Sequence, residues 1–461
     1  MSVREMIDAS VRPTPGTPRA YHFPAFTTQV LPNGLRVVIA PVRKLPLVTV
    51  LALVDAGSAA DPTGQDGVAQ LTASLLTEGT GTLTGAALTD LVESMGSTLD
   101  AGADWDSSVV KLTTLSSRLP DALALLARVL TEPSLPEDEF ERLRTERLAD
   151  LLQQRSEPRA LADEALSQAL YAPDARYARP DGGTERSVKS LGIESVRAFY
   201  SARYSPHATT VVLVGDLSQD DGVSLVRRAL GDWSGGPSAP FAAPDTALVT
   251  PRGVHIVRKG DAPQSELRVG LVGPQRLTPD YFPLVLCNAI LGGLFSSRLN
   301  LNLREAHAYT YGAHSGVDWR RGAGPFSMET AVQSDVTAAA VKEILSELDR
   351  MRSEPVSPSE LSLAHSYLDG VFPIRFETTG AIASALASQA IFGLPADYYD
   401  TYRSNIRSVT AADILRVAQT HLDPQRLQVV AVGDPDVISA PLAALGIGEI
   451  SISEPVDTLG N

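Results

Sequence analysis

The spacing of the histidines in this 461-residue sequence indicates whether the chain can perform zinc chemistry alone. Zinc-dependent hydrolysis on a helix uses two neutral imidazoles at positions i and i+4, together with a carboxylate that activates the bound water. None of the seven histidines stands four residues from another. His307 and His314 are separated by the segment 309–312, which is typical of the start of a strand and would turn the two rings in different directions. We therefore expect no zinc site in this chain.

A segment of the second half contains groups that can stabilise negative charge. Gly292 and Gly293 precede Arg304 and Tyr311 in this segment. A guanidinium and a phenol hydroxyl can both donate hydrogen bonds to the oxyanion that forms when water attacks a peptide carbonyl. The glycine pair would let a substrate backbone approach closely. Taken alone, Arg304 is equally consistent with a surface ion pair to a nearby acid.

Hydrophobic periodicity predicts the elements that hold such groups in the first half. Buried or β-branched patterns predict strands at 48–54 and 107–115, and Gly67–Thr77 has helical spacing between them. An apolar helix is predicted at 122–130, and a long charged helix follows Pro136 and runs through residue 155. Strands mixed with several helices favour an α+β sandwich, in which helices pack on one face of a sheet.

The chain contains an internal repeat with a constant offset of 218 residues. The strand pattern at 36–40 recurs at 254–258. The pattern Val-Val-Leu-Val-Gly-Asp at 211–216 recurs as Val-Val-Ala-Val-Gly-Asp at 429–434, and a proline turn precedes each copy. A single offset across most of both halves indicates duplication of one structural unit.

The repeat and the local composition predict the domain boundaries. Residues 1–23 are rich in proline and are expected to form an irregular leader. A first domain is expected over 24–234 and a second, homologous domain over 252–461. The segment 235–251 between them is rich in proline, glycine and alanine and is predicted to be a linker.

Composition excludes several classes of protein. The net charge of −15 argues against nucleic acid and anionic membranes as partners, although many acidic proteins are acidic simply for solubility. The single cysteine, Cys287, excludes an intrachain disulfide and lies in an apolar run, so it is expected to be buried. Neither a secretory signal nor an apolar stretch of membrane-spanning length is evident. A cytoplasmic location is the expectation.

Several short motifs, in order and at consistent separations, resemble the pitrilysin/insulinase-type (inverzincin) metallopeptidase family. They are the opening turn Leu31–Leu35, the segment Asp55–Asp61, the helix Gly67–Thr80, and the second-half segment from Leu291 to Gly312. The resemblance covers almost the whole chain. It implies two homologous α/β-sandwich domains that form a clamshell.

The resemblance also identifies where the family's zinc motif would lie. The two zinc-binding histidines fall on Gln70 and Ser74, and the catalytic glutamate falls on Ala73. The third ligand, a glutamate in the family, falls on Asp150. An amide, a hydroxyl and a methyl group cannot replace these ligands and this base, and one carboxylate alone does not hold catalytic zinc. We expect Asp150 to be a solvated or chamber-lining acid on a charged helix, and we expect this chain to carry no metal or other cofactor.

The second family signature is retained in the other half. The resemblance assigns the family's arginine and tyrosine to Arg304 and Tyr311, with Tyr309 as the alternative tyrosine, and gives Gly292 and Gly293 a substrate-binding role. In two-subunit members of the family, one chain holds zinc and the other supplies this pair. In those members, a substrate peptide adds as a strand to a sheet edge near the zinc. The corresponding edge strand in this chain would lie near residues 99–104.

These inferences predict a non-catalytic subunit of a heterodimeric zinc endopeptidase. Its partner would be a homologous chain that carries the zinc motif, and its substrate a peptide or an unfolded polypeptide. The alternative is a proteolytically inactive scaffold or a peptide-binding homodimer. An independent enzyme with another metal or nucleophile is the weakest of the three hypotheses, since no histidine neighbours Ser74.

Overall fold

The computed structural model describes residues 20–237, 242–248, 250–260 and 262–455. Most of the predicted leader and parts of the predicted linker therefore lie outside the described residues. The described end of the leader, residues 20–23, has no regular secondary structure, and its Phe23 packs against Phe376 and Tyr399. The later part of the linker pairs with residues 170–172: the Ala172 N–H donates to the Thr246 carbonyl oxygen, and the Leu248 N–H donates to the Leu170 carbonyl oxygen.

The first half forms a six-stranded sheet with helices. Its strand order is β1-β2-β8-β3-β7-β6, so β1 and β6 are the edges, and a small two-stranded sheet, β4-β5, lies apart. The strands are β1 Thr27–Val30, β2 Arg36–Pro41, β3 Leu47–Val54, β4 Gly79–Thr80, β5 Leu83–Thr84, β6 Thr98–Ala103, β7 Ser108–Leu115 and β8 Thr209–Gly215. The helices are α1 Val68–Leu75, α2 Gly85–Ser94, α3 Leu119–Thr131, α4 Glu137–Gln154, α5 Pro158–Leu170, α6 Glu185–Ser190, α7 Ile193–Arg203 and α8 Gln219–Leu230.

The second half repeats this plan. Its sheet has the order β14-β9-β13-β10-β12-β11. The strands are β9 Gly253–Arg258, β10 Gln264–Val272, β11 Ala313–Val317, β12 Pro325–Gln333, β13 Gln428–Gly433 and β14 Glu449–Ser453. The α-helices are α9 Tyr281–Asn288, α10 Thr337–Ser353, α11 Pro358–Arg375, α12 Thr379–Ile391, α13 Tyr398–Ser408, α14 Ala411–His421 and α15 Pro435–Ala444, and π-helical turns cover Ala289–Gly293 and Asn300–Ala306.

Five consecutive strands of the first sheet correspond to five consecutive strands of the second sheet. Strands β2, β8, β3, β7 and β6 of one sheet take the places of β9, β13, β10, β12 and β11 in the other. The sixth strands differ: β1 runs antiparallel to β2, whereas β14 runs parallel to β9. The prediction of an α+β protein built from two homologous sandwiches is confirmed.

The two halves also exchange helices. Helix α5 of the first half packs on β10 and β13 of the second sheet, and α12 of the second half packs on β3 and β8 of the first sheet. Ile382 and Leu386 of α12 are buried against Leu51 and Val212. Burial of each such side chain stabilises the fold by about 1.5–3 kcal/mol. Each sheet therefore has its own helices on one face and a helix of the other half on the opposite face.

Two further expectations concern single features. Cys287 is fully buried in the second core, as expected, and burial raises the pKa of its thiol to about 12. Among the described helices, none combines the length and the apolar character that a membrane crossing requires.

Candidate functional site

Helix α1, which contains the positions of the zinc motif, begins at a strongly fixed N-terminus. Gly67 adopts a left-handed conformation with φ of 97° directly before the helix, which favours glycine. The Asp61 carboxylate accepts hydrogen bonds from the backbone N–H of Gly67 at 2.7 Å and of Ala69 at 3.0 Å. Asp61 thus satisfies two donors that the first turn of a helix leaves without partners.

A buried arginine joins this N-terminus to the segment 179–183. Arg176 lies 2.9 Å from an oxygen of Asp61 and 3.2 Å from one of Asp66, and its side chain is only 5% exposed. Its remaining N–H groups donate to backbone oxygens of residues 179, 180 and 181. Burial raises the pKa of Asp61 to about 6, although Arg176 and the two backbone N–H groups oppose this shift. The segment 179–183 is therefore held against α1.

The three motif positions lie on α1 as their spacing predicts. Gln70 and Ser74 are half-buried and one helical turn apart, and Ala73 is buried in the core. Neither an amide nor a hydroxyl of this kind is a zinc ligand of the usual set, and the methyl group of Ala73 cannot accept a proton. The donor set at this position does not fit catalytic zinc.

A guanidinium from α4 lies beside Gln70. Arg147 Nε donates to the carbonyl oxygen of Gly182 at 3.0 Å. A Cβ built on Gly182 would lie 2.3 Å from Arg147 Nη2 and 2.6 Å from Gln70 Oε1, so both side chains close around the same glycine. Burial lowers the pKa of Arg147, with Asp181 and Asp150 opposing the shift. A fixed positive charge therefore stands next to the position of the first zinc ligand.

The third ligand position does not compensate for this loss. Asp150 lies on α4 and is exposed, as expected for a solvated acid. Over the described ranges of the chain, no group of three or more His, Cys, Asp or Glu side chains is arranged to hold a metal ion. Arg147 was not predicted from the sequence, although its place one helical turn before Asp150 on the same helix was a usable signal.

An edge strand and a cavity lie close to α1. Strand β6 is one of the two edges of the first sheet and contacts α1, so the predicted edge at 99–104 corresponds to β6. A cavity of about 310 Å³ lies between α4, the start of α5 and the segment 179–185. Its lining includes four acids, Asp163, Glu164, Asp181 and Glu185, and burial raises the pKa of Glu164 despite Arg155.

The glycine pair of the second signature, Gly292 and Gly293, packs closely between the end of α9 and strand β11. A Cβ on Gly292 would lie 2.5 Å from the Ser315 hydroxyl oxygen, so the absence of a side chain lets this turn pack directly on β11. A Cβ on Gly293 would lie 2.9 Å from the Asn288 amide nitrogen. Close packing of the chain on itself is thus a second reason for this pair, besides the predicted approach of a substrate backbone.

Arg304 projects from the π-helical turn into solvent-accessible space. Its guanidinium carbon lies 4.6 Å from the ring centroid of Phe295, and its Nε lies 3.6 Å from Glu305. Phe295 is 75% exposed. The weak contact with Glu305 corresponds to the surface ion pair considered as the alternative role. Phe295 was not predicted from the sequence, where its only signal was its place directly after residues 292–294.

The two candidate tyrosines have different surroundings. Tyr311 is 95% exposed. Tyr309 is half-buried, and its ring stacks on that of His307 at a centroid distance of 4.9 Å. Residues 309–312 form a loop and not the start of a strand, because β11 begins only at Ala313. His307 nevertheless directly follows the π-helical turn, whereas His314 lies on β11.

An ion pair fixes the signature segment to α11. Arg298 Nε lies 2.6 Å from Glu360, and Arg298 is only 7% exposed. Glu360 also accepts hydrogen bonds from the N–H and hydroxyl of Ser357, which completes the N-terminal cap of α11. Burial raises the pKa of Glu360, but Arg298 and Ser357 outweigh it and bring the pKa down to about 2.

Comparison with known proteins identifies the family. Residues 36–179 match the insulinase family, Peptidase family M16, and residues 190–368 match the family described as the peptidase M16 inactive domain. The chain belongs to the M16 peptidase family. Together with the residues at positions 70, 73 and 74, this makes the chain a non-catalytic M16 relative.

Individual M16 relatives align along most of the chain. A Mycobacterium tuberculosis protein named as an uncharacterized zinc protease is 27% identical over 92% of this chain and 96% of its own length. A Helicobacter pylori protein named non-peptidase homolog YmxG is 24% identical over 83% and 88%. The mitochondrial-processing peptidase subunit beta of Saccharomyces cerevisiae is 22% identical over 90% and 92%.

Solved structures include the same fold. The crystal structure of a peptidase M16 inactive domain from Pseudomonas fluorescens has a TM-score of 0.83 and 26% identity, covering 89% of this chain and 98% of that one. The repeated sandwich described above is therefore the arrangement found in an M16 protein of similar length.

Proposed function

We propose that this M16 chain is the non-catalytic subunit of a heterodimeric zinc endopeptidase. In this proposal, Arg304 and Tyr311 act in an active site whose zinc belongs to a homologous partner chain. The observation that carries the proposal is the contrast between the two signatures. The motif helix has lost its ligands, whereas Tyr311 is 95% exposed in the same segment as a partly exposed arginine.

The chemistry of the pair suits peptide hydrolysis. When zinc-bound water attacks a peptide carbonyl, the carbonyl oxygen becomes negative, and donors aimed at it lower the barrier. A phenol hydroxyl and a guanidinium both donate, and a guanidinium remains charged at any working pH. The Arg304 guanidinium lies over the Phe295 ring, and a cation held in this way can still donate hydrogen bonds through its N–H groups.

Two features of the first half support peptide binding. Among the described strands, none pairs with the outer side of β6, so an extended peptide can add there through backbone hydrogen bonds. The cavity beside α4 and α5 is lined by four acids and two arginines, Arg155 and Arg179, and this excess of negative charge favours a basic side chain. These features would retain a substrate close to the interface of the two chains.

The names of some relatives support the proposal, whereas others are named zinc proteases. One relative is named a non-peptidase homolog, and others are named subunits of mitochondrial-processing peptidase. A chain that lacks the zinc motif but retains the fold is suited to the role of such a subunit. The partner would be a homologous chain with an intact His-x-x-Glu-His motif, preferably encoded beside this one.

The experiment is a reconstitution of peptide cleavage. This chain and the zinc-motif chain are purified separately, and cleavage of a fluorogenic peptide library is measured for each chain and for the mixture. We expect activity to rise on mixing. Replacing Arg304→Ala together with Tyr311→Phe should lower the rate of the mixture by about 100-fold or more, because removal of one oxyanion donor alone typically costs that much.

A matched control separates this effect from general surface changes. Arg228→Ala with Tyr367→Phe removes an exposed arginine on α8 and an exposed tyrosine hydroxyl on α11 and should leave the rate unchanged. No gain on mixing would refute the heterodimer. Equal rates for wild type and the Arg304/Tyr311 variant would instead favour a scaffold or a peptide-binding homodimer, which sedimentation of the single chain would detect.

A further inference from the structure

The second half contains an aromatic pocket away from both signatures. It has a volume of about 320 Å³ and lies between α11, α12, α13 and the loop that contains Arg276. Half of its lining residues are aromatic, although aromatic residues make up 6% of the chain. This volume is at the lower end of the range for small-molecule sites, which are mostly apolar with a few placed polar groups.

Arg276 is the unusual residue of this pocket. It is only 7% exposed, and its guanidinium carbon lies 3.6 Å from the ring centroid of Tyr281 and 5.3 Å from that of Tyr398. Its Nη2 donates to the Tyr398 hydroxyl at 2.6 Å. Within the described part of the chain, no carboxylate lies within ion-pair distance of Arg276. A buried charge is normally paired, so this one lacks its usual counter-ion.

The geometry of the stack leaves a specific part of Arg276 for a ligand. Aromatic rings cover the faces of a guanidinium, and the N–H groups point outward in its plane. An oxyanion in that plane can accept two hydrogen bonds at once. The pocket that contains these N–H groups is therefore shaped for a flat molecule with an anionic end.

The electrostatics of the lining agree with this geometry. Arg375 stands at the pocket as a second, exposed arginine, and none of the described lining residues is Asp or Glu. This local excess of positive charge contrasts with the net charge of −15 for the chain. Burial raises the pKa of Tyr398, Tyr399 and Tyr402, so their hydroxyls stay neutral and add no negative charge to the pocket, and the Tyr399 hydroxyl donates to the Ala385 carbonyl oxygen.

We propose that this pocket binds a small aromatic oxyanion, with its carboxylate or phosphate on Arg276 and Arg375 and its ring among the tyrosines and phenylalanines of α11–α13. The hydroxyls of Ser384 and Ser388 also line the pocket and can bind polar substituents of the ring. The proposal does not depend on peptide cleavage or on a partner chain.

The test is a binding titration of the full chain by ligand-observed NMR. The probes are phenyl phosphate, N-acetyl-phenylalanine, inorganic phosphate and benzyl alcohol. We expect at least one of the two aromatic anions to bind about tenfold more tightly than both inorganic phosphate and benzyl alcohol, because only the aromatic anions use both the charge and the rings. Phenyl phosphate and N-acetyl-phenylalanine distinguish a phosphate from a carboxylate ligand. Binding of benzyl alcohol with equal affinity, or of inorganic phosphate with equal affinity, would overturn the proposal.

Variants locate the site. Arg375→Gln lies at the surface and should weaken the aromatic anion about threefold, while Arg276→Met should weaken it tenfold or more. Because Arg276 also packs in the fold, Ser384→Trp provides a second variant that fills the pocket from an exposed position and should abolish binding. Ser224→Trp, an exposed serine on α8, is the matched control and should bind as wild type does. Wild-type affinity in Ser384→Trp would also overturn the proposal.

Discussion

The motif helix of the first half and the signature segment of the second half occupy equivalent places in the two sandwiches. The offset of 218 residues relates Gln70 to Asn288 and Ser74 to Gly292, and each region packs beside an edge strand, β6 or β11. Their surroundings are opposite in character. Helix α1 is enclosed by the buried ion pairs of Arg176, whereas the second segment presents Phe295, Arg304 and Tyr311 to solvent.

This difference separates residues that hold the fold from residues that remain available to another molecule. Around α1, the polar groups satisfy one another: Asp61 caps the helix, Arg176 binds Asp61 and Asp66, and Arg147 binds Gly182. In the second segment, buried polar groups such as Arg298 hold the backbone, and the exposed side chains make few internal contacts. A change in the first region should therefore affect stability, and a change at an exposed position of the second should affect binding.

The largest expected effect is the loss of the buried arginine in the first region. Arg176→Met leaves Asp61 buried without a cation, leaves Asp66 with Arg179 as its remaining cation, and removes the donors that hold residues 179–181. We expect the free energy of unfolding to fall by about 3–5 kcal/mol, because breaking a buried ion pair leaves an uncompensated charge. Urea denaturation followed by circular dichroism measures the change.

The matched substitution in the second region is Arg304→Met. Arg304 is partly exposed, so its loss should change the free energy of unfolding by no more than about 0.5 kcal/mol. If the two substitutions destabilised the protein equally, the contrast between a structural and an available region would be incorrect.

A second prediction concerns the ion pair that supports the second region. The folded-state pKa of Glu360 is about 2, below its ordinary value of 4.5, so its carboxylate stabilises the fold fully above about pH 4.5 and loses this contribution as pH falls towards 2. Glu360→Gln should lower the free energy of unfolding by about 2 kcal/mol at pH 7. The difference from wild type should shrink by about half at pH 3.

The control for this titration is Glu354→Gln, an exposed glutamate at the end of α10. It should change stability by less than about 0.5 kcal/mol. Denaturation of wild type and both variants at the two pH values measures the effect. If Glu360→Gln lowered the free energy of unfolding by more at pH 3 than at pH 7, the assigned direction of the pKa shift would be wrong.

A third prediction asks whether the first region can be returned to a zinc site. The fourfold variant Gln70→His, Ala73→Glu, Ser74→His and Asp150→Glu restores the ligand types that the family uses. Arg147 would then repel the metal, because its guanidinium and the Gln70 side chain close around the same glycine. Adding Arg147→Ser should tighten zinc binding by about tenfold or more in a competition assay with a zinc-sensitive dye.

The matched control adds Arg142→Ser to the same fourfold variant. Arg142 lies on the same helix but binds Glu78, Glu139 and Glu146. Its removal should leave zinc affinity unchanged. If both additions acted equally, the effect of Arg147 would be a general change in charge and not the occupation of the motif site.

Much of the fold was predictable because its signals are local. Strands β3 and β7, helices α1, α3 and α4 and the repeat were expected within a few residues of their observed bounds. The exchange of α5 and α12 between the halves was not predictable, since the apolar face of a helix does not specify which sheet covers it. The predicted sandwiches are therefore correct, and their mutual packing is a result of the structure.

The candidate site divides in the same way. The motif positions on α1 could be found by their spacing, and Arg304 and Tyr311 by their signature. Arg176 and Phe295 could not, because their importance comes from contacts over long sequence distances or from exposure, neither of which spacing reveals. Arginine is usually a surface residue, so a buried one is recognised only once its partners are placed.

The smallest expected effect tests how the second region holds its arginine. Phe295 is 75% exposed and lies under Arg304, and a cation–π contact at an exposed site contributes about 0.5–1 kcal/mol. Phe295→Ala should therefore leave global stability almost unchanged but increase the motion of the Arg304 side chain, which ¹⁵N relaxation of its Nε–H group measures. Leu301→Ala, an exposed apolar residue of the same segment, should leave that motion unaltered. Unchanged relaxation in Phe295→Ala would mean that Glu305, and not the ring, orients the guanidinium. An exposed aromatic ring that supports an accessible arginine would then no longer distinguish this region from α1.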